Sequence, residues 1–260
     1  MSLIKPFLIG IPFEGEDDFI KGTSLGPSKI RWAMDSIENF SCYQNKILPP
    51  YTDLGDIYLP DIHQEKFSDY LERNLKEKLE PPFVAVGGNH LITLPLVRIL
   101  KKYHPELRVI HFDAHLDRRE RYKGFLFSYS TVIRRLEEEI GRERIFTLGY
   151  RSKSQEEDDG QSFRGKVFDP LNSIIGELEN FPLYLTLDLD VLDPSEFPAV
   201  SNPEPGGISF LELIDSLKVL RNKIVAADIV EFNPMASFDT YPAVTAAILV
   251  RELLIIISRR

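Results

Sequence analysis

The sequence has 260 residues, 43% of them apolar, with a net charge of −9 and a single cysteine, Cys42. That length suits one α/β domain or two small ones and can bury a sizeable core, while one cysteine excludes an internal disulfide framework and a cysteine-based zinc cluster. Acidic residues are spread along the chain, which argues against nucleic acid as a partner and suits cationic ligands.

Residues 1–6 carry no signal-peptide pattern, and the apolar run from Leu253 to Ile257 is far shorter than a membrane span, so a cytoplasmic chain with no membrane partner is expected. In chain order, a strand is predicted at 6–11, helices at 27–40 and 63–78, a strand at 83–86, a helix at 92–103, a strand at 108–112, a helix at 131–140 and a strand at 144–148. The charged stretch 152–164, with its acidic run Glu156 to Asp159, reads as a lid or a solvated loop, with the loop favoured. Strands at 166–168 and 183–187, a helix at 210–221, a strand at 224–229 and a helix at 243–258 follow. Ser209 with Glu212 three residues on reads as a capping box. Strands alternating with helices imply an α/β fold, a three-layer αβα arrangement around a mostly parallel sheet of about eight strands. One domain over 1–260 is the simplest division. Ligands in such sheets bind beyond the carboxyl ends of the strands.

The chemistry-bearing residues fall at those ends. The apolar strand 108–112 runs into Asp113-Ala114-His115-Leu116-Asp117, and residues two apart on an extended chain share a face. The strand 183–187 ends in Asp188-Leu189-Asp190, and the strand 83–86 turns through Gly87-Gly88-Asn89 into His90. An isolated Asp-x-Asp is usually a solvated turn. Four carboxylates and two imidazoles converging from three strand ends are a different matter, because burying them without cations is strongly unfavourable. Mixed oxygen and nitrogen ligation suits Mn²⁺ or a similar ion, and bridging carboxylates can hold two such ions roughly 3.5–4 Å apart. His111 is expected to face away from these ligands, and His104 to end a helix.

These motifs, in this order, resemble the ureohydrolase family of arginases and agmatinases. The resemblance runs through Gly10-Ile11-Pro12-Phe13-Glu14, the segment Gly22 to Arg31, Asp53-Leu54-Gly55-Asp56, Gly87-Gly88-Asn89-His90, Asp113 to Asp117, Asp188 to Pro194, Pro203 to Gly207 and Val230-Glu231-Phe232-Asn233-Pro234. It implies the arginase-like fold and two Mn²⁺ ions bridged by Asp113 and Asp188. His90 and Asp117 would complete one shell, and His115 and Asp190 the other. It implies a metal-bridging hydroxide attacking a guanidinium to give urea and an amine, with Asp117, Glu231 and Tyr129 nearest the chemistry and Glu231 pairing with the guanidinium. It also implies a homo-oligomer, trimer or hexamer. Gly149-Tyr150-Arg151-Ser152 is similar to agmatinase-like members, which favours a small cationic guanidino amine and a place in polyamine biosynthesis.

Three positions depart from the family's pattern. Asn89 stands where Asp is usual, Tyr129 stands where agmatinase-like members carry a proton-shuttling His, and Phe197 to Asn202 replaces a glycine-containing loop. A tyrosine, with a reference pKa near 10, shuttles protons poorly at neutral pH but can donate a hydrogen bond. Asp193, before Pro194, reads as a turn former, and Glu204 as a support for the site. Three readings stay open: an agmatinase-like enzyme, a formimidoyl or other amide C–N hydrolase on the same metal pair, and a low-activity or regulatory homologue in which Tyr129 has ended turnover.

Overall fold

Strands covered on both faces need no polar positions, which is why the longest apolar runs of this chain become its central strands. The computed structural model describes residues 5–221 and 223–258. Its strands are β1 (Phe7–Ile11), the short pair β2 (Phe40–Ser41) and β3 (Lys46–Ile47), β4 (Thr52–Asp56), β5 (Phe83–Gly87), β6 (Arg108–Phe112), β7 (Ile145–Tyr150), β8 (Ser162–Arg164), β9 (Leu183–Asp188) and β10 (Ile224–Val230). Apart from the antiparallel β2 and β3, they form one eight-stranded sheet in the order β4-β1-β5-β10-β9-β6-β7-β8, with every pair parallel.

The helices are α1 (Gly26–Met34), α2 (Gln64–Leu75), α3 (Thr93–Tyr103), α4 (Val132–Ile140), α5 (Phe168–Ile174), α6 (Phe210–Val219) and α7 (Tyr241–Ile257). Alternate strand residues feed two cores. Val84 and Val86 of β5 with Leu183, Leu185 and Leu187 of β9 pack against α1, α5, α6 and α7. Phe83, Ala85 and Tyr184 point the other way, onto α2, α3 and α4. The expected three-layer αβα arrangement is therefore present. Among the described residues no helix is long and apolar enough to cross a membrane.

The departures from expectation lie at the sheet's edges. Residues 166–168 are not a strand: the chain there turns into α5, where the carboxylate of Glu212 accepts from Val167 N and Phe168 N at 3.3 and 3.4 Å. Ser209 does cap α6, at 3.2 Å from Glu212 N, but Glu212 serves this neighbouring helix instead of closing a box. The edge strands β4 and β8 each carry a single apolar residue, Leu54 and Phe163, and so lack the pattern that marks a strand. The helix read at 27–40 stops at Met34, and the chain beyond it leads into the β2 and β3 pair. The acidic run is not simply solvated. Glu157 is buried and accepts from Arg118 N and Ser154 N at 2.8 and 2.7 Å, while Asp158 pairs with Arg142 and Asp159 with Lys153.

One buried ion pair ties α7 to β2 and β3. Arg251 donates from Nε and Nη2 to Glu252 Oε1 at 2.9 and 2.7 Å, and Ser41 and Gln44 both donate to Glu252 Oε2 at 2.7 Å. Removing one member of such a pair leaves an uncompensated buried charge. Glu252→Ala is expected to cost about 3–5 kcal/mol of unfolding free energy, measured by urea denaturation. A loss under about 1 kcal/mol would show that water replaces the carboxylate there.

Candidate metal centre

The four middle strands, β5, β10, β9 and β6, deliver their carboxyl ends to one place. After β5 the chain must pass very close to its neighbours: a Cβ on Gly88 would lie 2.1 Å from the Phe13 carbonyl oxygen, so only glycine fits. Asn89 Oδ1 then accepts from Leu91 N at 2.9 Å and starts the short turn that presents His90. Asp188 Oδ1 accepts from Asp190 N at 2.8 Å and starts an equivalent turn after β9. Asp190 Oδ1 in turn accepts from Ala114 N at 2.9 Å, which links this turn to the segment beyond β6.

The sequence-predicted ligands come together as two clusters that share Asp113. In the first, His90 Nδ1 lies 3.3 Å from one oxygen each of Asp113, Asp117 and Asp188. That nitrogen is fully buried and has no hydrogen-bond partner. Three carboxylate oxygens ringing an unpartnered ring nitrogen are the donor set of a divalent cation with mixed N/O ligation, so the residues present fit the metal that the sequence implies. In the second cluster His115 Nδ1 lies 2.8 Å from Asp190 Oδ2 and 3.5 Å from Asp113 Oδ1. Asp113 thus offers Oδ2 to one cluster and Oδ1 to the other. The His115 side chain is a quarter exposed, which opens the site on that side, and its Nε2 stands 3.6 Å from Glu204 Oε1.

Without cations the cluster gathers protons. Burial, together with the charges of Asp190 and Asp113, pushes Asp188 well above the carboxylate range, and burial with the charge of Asp113 brings Asp117 up to about 7. Burial opposes charge on both His90 and His115, but the surrounding carboxylates override it and hold both well above the usual imidazole value. A bound divalent cation would replace these protons, so metal uptake here is coupled to proton release.

His111 corrects the expectation that it faces away. It precedes Asp113 by two residues and shares its face, with Nε2 2.7 Å from Asp113 Oδ2 and Nδ1 3.1 Å from the Thr147 hydroxyl. Burial lowers its pKa to about 4, so it stays neutral, donates to Asp113 and orients it. A second support stands behind His90. Its Nε2 lies 2.9 Å from Thr186 Oγ1, Thr186 lies 3.1 Å from Thr93 Oγ1, and Thr93 donates to Asp228 Oδ2 at 2.8 Å; the Tyr184 hydroxyl donates to the same oxygen. With Nε2 donating into this chain, Nδ1 is left as the metal-facing acceptor. Sequence reasoning passed over these residues. The available signal was Asp228, a lone acid inside an apolar strand, which a buried strand admits only with partners.

Glu231 is buried, not a surface carboxylate. Its Oε1 accepts from His90 N at 2.7 Å, and burial, with Asp18 adding to it, pushes its carboxyl well above the usual range. Glu231 and Asp117 both hold left-handed backbone, with φ of 65° and 52°. For residues with a Cβ this conformation costs about 1–3 kcal/mol each. Tyr129 packs edge-on against Tyr122, ring centroids 5.3 Å apart, and burial raises its phenol above the ordinary value, so it remains a proton-bearing donor. Among the described residues no hydrogen bond joins it to a predicted metal ligand. Asn89 Nδ2 donates to Asp18, which an ionised Asp could not do. Asp193 is a turn former, accepting from Ser195, Gly206 and Gly207 N, and Arg151 donates to the carbonyls of Asp190 and Glu204 at 2.7 Å. The loop from Phe197 to Asn202 packs on the residues after Glu231: Asn233 N donates to Ala199 O at 2.9 Å and Asn233 Nδ2 to Ser201 Oγ at 3.0 Å.

A family model described as the arginase family matches residues 5–256. The chain belongs to the arginase family. Among curated relatives, an agmatinase from Bacillus anthracis is 34% identical over 95% of this chain and 90% of its own length. The crystal structure of agmatine ureohydrolase from Thermoplasma volcanium superposes with a TM-score of 0.84 at 28% identity, over 96% of this chain and 88% of that one. An arginase from Medicago truncatula superposes with a TM-score of 0.83 at 27% identity, covering 98% and 88%. With this fold and these relatives, the arginase-family chain is a hydrolase acting on guanidino carbon–nitrogen bonds.

A ligand bound only by the folded state stabilises it by mass action. Mn²⁺ at roughly 100 times its dissociation constant is therefore expected to add about 2.7 kcal/mol to the unfolding free energy. His90→Ala should abolish most of that gain. Urea melts that ignore divalent cations in the unsubstituted protein would count against a metal centre.

Proposed function

We propose that this arginase-family enzyme hydrolyses a guanidino amine of the agmatine type to urea and the corresponding amine, at a pair of divalent cations of which Mn²⁺ is the expected identity. The observation that carries this is the pair of His/Asp clusters joined through Asp113 beside the buried carboxylate of Glu231. The printed names of its relatives, agmatinase and agmatine ureohydrolase, support the same reading. His90 and Asp117 would complete one ion's shell and His115 and Asp190 the other's, with Asp113 and Asp188 shared. Bound there, the cations supply the Lewis acidity that makes water nucleophilic near neutral pH.

The chain's own residues do the rest. Glu231, fixed by the His90 N–H, accepts hydrogen bonds from the guanidinium and sets its plane against the metal cluster. Water adds to the guanidinium carbon, the bond to the alkyl-bearing nitrogen breaks, and both water protons end on that nitrogen, giving urea and an alkylammonium ion. Asp117, buried beside His90, would carry protons along this path. Tyr129, kept protonated by its burial, serves as a hydrogen-bond donor to the leaving nitrogen and not as a shuttle. The diamine product suits polyamine biosynthesis. We infer a cytoplasmic homo-oligomer on the strength of the resemblance.

Urea release from a panel of guanidino compounds with Mn²⁺ tests the reading, with agmatine expected to exceed arginine. Glu231→Gln should lower kcat/KM about 100-fold. No urea from any guanidino compound, with formamide or another C–N cleavage product instead, would move the chain to a different substrate class. Ligand binding without any product would mark it as non-catalytic. A separate variant, Tyr129→His, introduces a group that titrates near neutrality, and general acid–base help is worth about 10²–10⁴ in rate. Urea release is expected to rise at least about 10-fold in this variant. No rise would remove position 129 from the proton path.

A further inference from the structure

The loop between Phe13 and Thr23 flanks Glu231, and the reaction outlined above makes no use of it. It carries two successive aspartates. Asp18 is held in place: Asn89 Nδ2 donates to Oδ1, and Gly15 N and Thr23 Oγ1 donate to Oδ2 at 3.1 and 3.3 Å. Asp17 is not. It is only 2% exposed, yet neither carboxylate oxygen has a hydrogen-bond partner. Lys123 reaches it but donates to its backbone carbonyl, at 2.8 Å, and among the described residues no ion pair engages the carboxylate. A buried, uncompensated carboxylate is strongly unfavourable and persists where a ligand brings the missing donors.

Gly15 shows where the two acids point. A Cβ there would stand 2.7 Å from Asp17 Oδ1, 3.1 Å from Asp18 Oδ1 and 2.8 Å from Asn89 Nδ2. The two carboxylates therefore converge on Asn89, the residue that precedes His90, an approach that the missing Cβ of Gly15 permits. Asn89 donates to Asp18, and the next residue, His90, donates its N–H to Glu231 at 2.7 Å, which puts the pair on the Glu231 side of the cluster. Burial, with Asp17 adding to it, pushes Asp18 up to about 6, as expected of acids gathered without a cation.

We propose that Asp17, with Asp18 beside it, binds a second positive charge on the substrate: an unsubstituted primary ammonium at the far end of the alkyl chain from the guanidinium. This rests on the guanidino-hydrolase reading of the site. An ammonium offers three donors, enough to satisfy both oxygens of Asp17. A guanidino acid would bring its carboxylate against Asp17 and Asp18, so the same pair that attracts a guanidino amine repels it.

The test compares agmatine with n-butylguanidine, which lacks the terminal amine. In Asp17→Asn the ratio of their kcat/KM values is expected to fall about 10- to 100-fold, mostly through the KM for agmatine. The apparent Tm of the variant without substrate should hold or rise, because an uncompensated buried charge is gone. A folded variant with an unchanged ratio overturns the proposal. A second arm needs no turnover: calorimetric titration of the Mn²⁺-loaded protein with butane-1,4-diamine and with n-butylamine. Unsubstituted protein should prefer the diamine at least about 10-fold, and Asp17→Asn and Asp18→Asn should each lose that preference. A preference under about 2-fold in the unsubstituted protein overturns the proposal even if no variant folds. An Asp17-dependent diamine preference without urea from any guanidino compound keeps the ammonium site and removes the guanidino reading. Urea release with no diamine preference does the reverse.

Discussion

Four aspartates, Asp113, Asp117, Asp188 and Asp190, are buried around the imidazoles of His90 and His115. In a dry interior so much negative charge is tolerated only beside positive charge. Much of the local structure answers that demand. The parallel order of β5, β10, β9 and β6 brings the acids together, and the turns after β5 and β9 satisfy their backbone donors. His111 and the Thr186, Thr93 and Asp228 chain orient the ligands from behind, so the cation-facing lone pairs stay free. Glu231 and Asp117 accept left-handed backbone to reach their places, a strain that a scaffold with this much buried core can hold.

The middle of the fold and the six ligand candidates are legible in the sequence because they share one cause. A strand covered on both faces is an unbroken apolar run, and the polar residues that end it must lie at the sheet's carboxyl edge. That reasoning locates His90, Asp113 and Asp188 without coordinates. It fails at the edges, where β4 and β8 bury too little to leave a pattern, and at residues 166–168, where two apolar residues fill a helix start capped from a distant segment by Glu212. The supporting residues are illegible for another reason. Thr93, Thr147 and Thr186 are ordinary strand and helix residues until the topology sets a histidine against them. His111 was within reach of the alternation rule, since it lies two positions before Asp113.

The positions that depart from the family's pattern are physically connected. Asn89 and Asp18 form a donor and acceptor pair, so an amide at 89 and an acid at 18 make sense together where two ionised acids would repel. The charges of Asp17 and Glu231 both bear on the Tyr129 phenol. The loop from Phe197 to Asn202 is clamped by Asn233, two residues beyond Glu231. These differences therefore surround the Glu231 carboxylate and leave the clustered histidines and aspartates unaltered.

The central placement of β10 has a consequence for how the molecule is made. This strand inserts between β5 and β9, and its end supplies Glu231, whose carboxylate bonds to His90 across 141 residues of sequence. During synthesis, β5 and β9 each wait with an open hydrogen-bonding edge until residues 224–230 have emerged. Such edges are templates for wrong pairing, and closing contacts of long sequence separation is slow. Nascent chains halted before that strand are thus the species most exposed to aggregation and most in need of chaperones. The cluster around His90 also cannot seed folding, because β10 must first join β5, which leads into His90, to β9. That cluster is completed by the last strand to arrive, and a cation bound there would report that the sheet is complete.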